Sequence, residues 1–353
     1  MPMRGVWFAS ASFALIALAG CDRNGNGAKT EQSSAENIAV ALDVCANNGD
    51  ALCRNEALTQ LDSAARDALV AESASISDAG AALLVQNQNR WREATRIACG
   101  VVDANTTPDA DQLGCLEARF RARAQEVREA VQEAGGYTFQ RMELIDAAPV
   151  SQAMAASSGL GDEAPNAVVR EIRFPRIDGR QTPAIQRFND LVAQQPQFRL
   201  EDATNEAVDY RIAYAGPELI SVRFDIASDT LGAAHGNATS KAVTVLMQDG
   251  RELTAADVFR AGSGWERFLT QRAVAEIARQ FREDGFTPPE RDVQESVTKP
   301  HLWLVTEQGL TILFPPYSYG APYVMGGTEV TIPWTDLRPY LNPAAPAPIR
   351  PSA

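Results

Sequence analysis

Histidine is nearly absent from this 353-residue chain: His235 and His301 are the two it has, far apart in sequence. That leaves histidine-rich metal sites and His-dependent catalytic triads without their parts. Basic residues are also in deficit, 32 Lys and Arg against 45 Asp and Glu, for a net charge of −13. Nucleic acid rewards a basic stripe, so no nucleic-acid partner is expected. No apolar run reaches the roughly 20 residues of a membrane-spanning helix. Gly-x-Ser-x-Gly, a Gly-rich phosphate loop, zinc-type cysteine spacing and a calcium loop are all missing, and no cofactor or metal is expected. What remains is ordinary for folded protein, with 45% hydrophobic and 22% charged residues, in a length that suits two domains at roughly 150 residues each.

The first 21 residues, MPMRGVWFASASFALIALAGC, place Arg4 before an apolar run from Val6 to Leu18. This is the pattern of an export signal. Its end, Leu18-Ala19-Gly20-Cys21, resembles a bacterial lipobox. The resemblance implies cleavage after residue 20 and acylation of Cys21, with several acyl chains (palmitate among them) giving a stable anchor. The expected location is the bacterial cell envelope, lipid-anchored to the inner or outer membrane and facing the periplasm. Residues 21–39 are expected to form a flexible tether.

Four cysteines remain after Cys21: Cys45, Cys53, Cys99 and Cys115. An even number in an oxidising compartment suggests two disulfides, with three possible connectivities. The pairs close in sequence, Cys45–Cys53 and Cys99–Cys115, are favoured. Apolar residues between them recur at helical spacing. Leu58, Leu61, Ala65 and Leu69 make one stripe; Leu83, Asn87, Trp91, Ala94 and Ala98 a second; Leu113, Leu116, Phe120, Ala124, Val127 and Val131 a third. Thr107 is expected to cap the third helix and Gly135-Gly136 to end it. Trp91 reads as core, and Arg92 and Arg96 as a solvated face or as partners of Glu93 and Asp103. The expected unit is a disulfide-stapled three-helix bundle over 40–136.

The residues Asn89-Arg90-Trp91-Arg92, Arg96, Cys99, Cys115-Leu116 and Arg119 resemble the N-terminal family of the lysozyme inhibitor LprI. Ile97 stands where that family usually has Asp, and its late arginine falls on Arg121 or Arg123. The resemblance implies an envelope domain; some members inhibit lysozyme.

Residues 146–166, rich in Ala, Ser, Gly and Pro, are expected to be a linker. The strand-like segment 137–144 before it could join either side. From 167 to 341 the pattern is β-α-β-β-β-α-β-β-β-α, an α+β domain with a mostly antiparallel sheet and helices on one face. A Pro/Ala-rich tail, 342–353, follows. Three segments, LISVRFDIASDTLGAAHGN at 219–237, VTVLMQDGRELTAADVF at 243–259 and the stretch from Gly309 to Leu341, resemble the extracytoplasmic domain of the RsiV type. Ala233 departs from the second glycine usual in its turn. That family includes a lysozyme-binding anti-sigma factor and the N-terminal part of a peptidoglycan deacetylase, so the resemblance implies an envelope module rather than a particular activity.

Two places could carry function. His235 sits in a Gly/Ala turn, where it either satisfies the turn or serves as a base oriented by Asp225 or Asp229. The segment PPYSYGAPYVMGG, 315–327, places Tyr317, Tyr319 and Tyr323 among Pro and Gly. Tyrosine gives large contact area at low entropic cost, which suits a recognition surface; the other reading folds these rings into the core. The expectation is a non-catalytic envelope lipoprotein that binds a lysozyme-type muramidase or peptidoglycan fragments and inhibits lysozyme. The alternatives are a cell-wall-modifying enzyme or its accessory subunit, and a structural scaffold.

Overall fold

The computed structural model describes residues 36–47, 51–194 and 200–350. The export signal and Cys21 lie outside the described residues. Three long helices open the fold: α1 (Glu56–Ser73), α2 (Asp78–Ala98) and α3 (Ala110–Glu126). Asn55 and Ser77 cap the first two by accepting from backbone amides in their first turns. The third starts later than Thr107 predicts. Asp109 is its cap, in a reciprocal pair with Gln112, because a carboxylate satisfies the exposed amides and the helix dipole together. Disulfides join Cys45 to Cys53 and Cys99 to Cys115, with Cα separations of 5.6 and 5.7 Å.

A helix over 36–42 precedes these, so the last residues of the expected tether are ordered. Ile38 and Leu42 are its reason: both bury against Leu69, Leu84 and Val127.

Gly135-Gly136 turns a hairpin instead of ending α3. Helix α3 stops at Glu126, and strand β1 (Val131–Ala134) pairs with β2 (Tyr137–Pro149). Both glycines have positive φ, 58° and 82°, as a two-residue hairpin turn demands. A Cβ on Gly135 would sit 2.3 Å from the Ala215 carbonyl oxygen. Strand β2 thus runs into the segment expected to be a linker, and a short helix, Gln152–Ser157, occupies much of the rest. The composition accompanies a crossover from β2 to β3.

The chain continues through β3 (Ala167–Ile177), α4 (Pro183–Ala193), β4 (Thr204–Ala215), β5 (Leu219–Thr230), β6 (Asn237–Leu246) and β7 (Arg251–Glu252). The first seven strands form one sheet in sequence order, antiparallel except for the β3–β4 pair. Helix α4 covers one face, with Phe188 and Val192 against Val208, Ile220, Val222 and Phe224. Helices α1–α3 cover the β2–β3 end of the opposite face, where Ile145 packs with Trp91 and Phe120.

Strands β8 (Trp303–Val305), β9 (Gly309–Phe314) and β10 (Thr328–Pro333) make a separate three-stranded sheet. Helices α5 (Trp265–Gln280) and α6 (Glu290–Val297) and the short α7 (Trp334–Leu337) complete its body. It packs on the first sheet by Leu302, Leu304 and Leu313 against Ala242, and the Val305 amide donates to Ser221 Oγ at 3.1 Å. The Pro/Ala-rich tail is part of this body as far as residue 350: Ala345 and Ile349 are fully buried.

The helical unit is fastened to the sheet by polar contacts. Arg123 is buried and bonds both carboxylate oxygens of Glu143 on β2, at 3.1 and 2.7 Å, with its guanidinium 5.0 Å from the Trp91 ring. Asn87 Nδ2 donates to the Arg141 carbonyl at 3.0 Å, and the Ser77 amide donates to Asp178 at 2.6 Å. Arg92, instead of facing solvent, is buried on Asp62 at 2.8 Å; Arg96 is buried too and does pair with Glu93, at 2.6 Å. Arg121 is exposed.

Burial alone would raise the Glu143 pKa, but Arg123, Arg141 and Arg173 outweigh it and bring the carboxyl from 4.5 down to about 2. A depressed carboxylate stabilises the fold above its unfolded pKa, and that contribution drains away as pH falls towards 2. Glu143→Gln removes the buried carboxylate that Arg123 holds and leaves it only the more distant, partly exposed Glu126 at 3.5 Å, so it should cost about 3 kcal/mol at pH 7. Denaturant unfolding from pH 7 to 2.5 should also show a shallower acid loss for this variant than for the parent.

Candidate functional site

The segment 315–327 leaves β9, turns over the second sheet and returns to β10. Its three tyrosines part company. Tyr319 is fully buried, with ring centroids 5.9 Å from both Phe281 and Phe286, and its hydroxyl donates to the Gly326 carbonyl at 3.0 Å. It therefore holds the loop from within and cannot meet a partner. Tyr317 points outward, 58% exposed. Tyr323 is half-buried and opens a single turn, Tyr323–Met325, at whose tip Val324 is 90% exposed.

The structure brings three sequence candidates together. The His235 ring stacks on Tyr323, centroids 4.6 Å apart and planes 19° apart, and Tyr317 lies tilted against Tyr323 at 5.6 Å. His235 is exposed, its Nδ1 2.8 Å from the Gly236 carbonyl oxygen. Its turn is positioned by Gly232 (φ 79°), where a Cβ would lie 2.1 Å from the Ser158 carbonyl oxygen. Asp225, one of the two carboxylates that could have oriented His235 as a base, is held instead by Arg223 at 2.8 Å and by Ser240 Oγ at 2.6 Å.

Tyr317 has φ 69°. A left-handed backbone at a residue with a Cβ costs about 1–2 kcal/mol. Strain of this kind persists where surrounding structure imposes it, and such sites cluster at functional surfaces.

Below the stacked rings lies a cleft that sequence reasoning missed. Because the second body covers only one end of β4–β6, and α1–α3 only the β2–β3 edge, the middle of that sheet face is open. Register places Ala207, Ala227 and Ala238 side by side across β4, β5 and β6, all exposed. Asp209, Asp225 and Ser240 form the next row, and Arg211 and Arg223 the one after. One cavity of about 970 Å³ extends over these rows to Pro315, Pro316 and Glu329. A second, of about 620 Å³, extends towards Arg119, Glu171 and Asp229. Ala207, Ala227, Ala238 and Tyr323 line both. Arg223 spans floor and wall, reaching Glu329 on β10 at 2.6 Å. Period-two alternation with alanine at exposed positions was the available signal, but it signifies nothing until the register aligns the three strands.

Among the described residues, no group of three or more His, Cys, Asp and Glu side chains is placed to hold a metal, and no helix is long and apolar enough to cross a membrane.

Residues 256–335 match the family described as "Protein of unknown function (DUF3298)". This segment contains α5, α6, β8, β9 and the tyrosine loop; His235 and the cleft floor lie outside it. Two solved structures of DUF3298 proteins are similar to the chain. One, from Bacteroides fragilis, is 14% identical, with a TM-score of 0.43, covering 60% of this chain and 96% of that one. The other, from Pseudomonas aeruginosa, is 15% identical, with a TM-score of 0.43, covering 62% and 98%. No curated protein matches the chain.

Thermal unfolding should separate the two roles within the loop. Tyr319→Ala empties a packed site and should cost about 3–5 kcal/mol. Tyr317→Gly removes the Cβ from a left-handed residue, so its Tm should equal or exceed that of the parent.

Proposed function

We propose that this chain is a non-catalytic, lipid-anchored envelope protein that binds a lysozyme-type muramidase through Tyr317, Tyr323 and His235. The observation that carries the reading is Tyr317, held in a left-handed backbone with most of its side chain in solvent. The turn closed by the Ser318 amide on the Pro315 carbonyl holds that backbone, and the ring it presents to solvent suits an interface. A ring preorganised on Tyr323 loses little entropy on binding, and exposed tyrosines of this kind are frequent anchors of interfaces. Val324, 90% exposed at the tip of the adjoining turn, adds apolar surface. The net charge of −13 favours encounter with a basic partner, and many lysozymes are basic. Cys21 would supply the anchor, and the residues following it the reach from the membrane.

The test is lysozyme activity with and without the purified, disulfide-oxidised protein lacking residues 1–21. Dose-dependent inhibition that weakens with added salt is expected. A Tyr317→Ala/Tyr323→Ala double variant should bind about 30-fold more weakly, the loss of roughly 2 kcal/mol typical of an interface anchor. Lack of both inhibition and binding across several lysozyme types would overturn the reading.

A further inference from the structure

We propose that the cleft beneath the aromatic stack is a binding groove for an uncharged linear oligosaccharide, a ligand class separate from the muramidase assigned to the loop. Size is the first argument. Cavities of about 970 and 620 Å³ meet at Tyr323 and the alanine floor, and both are open to solvent along the sheet face. A groove continuous through two such volumes suits a chain of rings more than a single small molecule, which seeks one enclosed pocket.

The lining supplies the second argument. A pyranose ring has an apolar C–H face and an edge crowded with hydroxyls. The floor has the same division. Ala207, Ala227 and Ala238 give a flat apolar strip across three strands, about 10 Å wide at the usual strand spacing. Asp209, Asp225 and Ser240 border it as one polar row, and Asn205 and Asp229 as the other. Carboxylates accept from sugar hydroxyls or from an acetamide N–H, and Arg223 can donate to ring or carbonyl oxygens. Arg223 is already fixed by Asp225 and Glu329, at 2.8 and 2.6 Å, so little entropy remains to be lost on binding. Tyr323, backed by His235, presents an aromatic ring where the two cavities join.

Charge narrows the class. Asp209, Asp225 and Glu329 in the first cavity accompany Arg211 and Arg223, and Glu171 and Asp229 in the second accompany Arg119. Acids therefore exceed bases along the whole groove, which penalises polyanionic glycans and leaves uncharged ones, N-acetylated or plain.

Calorimetry on the same purified protein tests this with three probes: a tetramer of N-acetylglucosamine, cellotetraose, and polygalacturonate. Binding of at least one uncharged tetramer is expected, and its identity tells whether the acetamido group is recognised; polygalacturonate should not bind. Ala227→Leu, which raises the exposed floor, and Tyr323→Ala should each weaken binding at least tenfold while leaving Tm near that of the parent. Failure of both tetramers at millimolar concentration, tighter binding of polygalacturonate, or affinity within twofold of the parent in both variants would overturn the proposal. Lysozyme binding measured on Ala227→Leu, which leaves the loop intact, reports separately on the loop, so either reading can fail alone.

Discussion

The buried contact between Arg123 and Glu143 is the constraint on which the rest of the architecture depends. It joins the last helix of the N-terminal unit to the second strand of a sheet whose strands β3 to β7 follow later in the chain. Neither ion could be left alone in that position: burial of an unpaired charge costs several kcal/mol, and the cost falls only when both are present and fully hydrogen-bonded. Trp91, Gln88, Arg141 and Arg173 surround the pair, so it specifies one docking geometry rather than merely adding stability. Asn87 and Asp178 extend the same interface by binding backbone groups directly. The helices and the sheet thereby become one body.

From that fixed arrangement the open cleft follows. The helices shield one edge of a sheet face and the second, three-stranded sheet shields another part of it. Neither can slide to cover the middle: one is held by Glu143 and the other by the apolar contacts around Leu304 and the Val305–Ser221 hydrogen bond. The Arg223–Glu329 pair crosses from floor to wall. The tyrosine loop stands at the mouth because Tyr319 is buried beneath it. One aromatic ring is spent on anchoring so that Tyr317 and Tyr323 can be presented outside.

Much of this was legible in the chain. Three amphipathic helical stripes, the close-spaced cysteine pairs and the alternating strands from 167 onwards each arise from local periodicity, and each has its counterpart in the fold. Where the reading departed from the structure, a local signal had two meanings. Gly135-Gly136 can stop a helix or turn a hairpin, and only the presence of a partner strand chooses. Alanine, serine and proline over 146–166 signify a surface path, and a linker and a crossover share that composition. Arg92 recurs at a spacing that fits a solvated face, yet Asp62 and the Leu42 carbonyl hold it inside.

The sequence by itself determined the three helical stripes and most of the strands, the acidic balance, the pairing of cysteines near one another and the residues with enough surface chemistry to bind something. Those properties depend on neighbours within a few positions, where periodicity, turn chemistry and short loops act. Tertiary structure alone decided which tyrosine is core and which is surface, that His235 meets Tyr323 across nearly ninety residues of chain, and that alanines on three strands line up as a floor. These outcomes depend on strand register and on how two separately packed bodies share one sheet, and both are set by long-range contacts that no local pattern encodes.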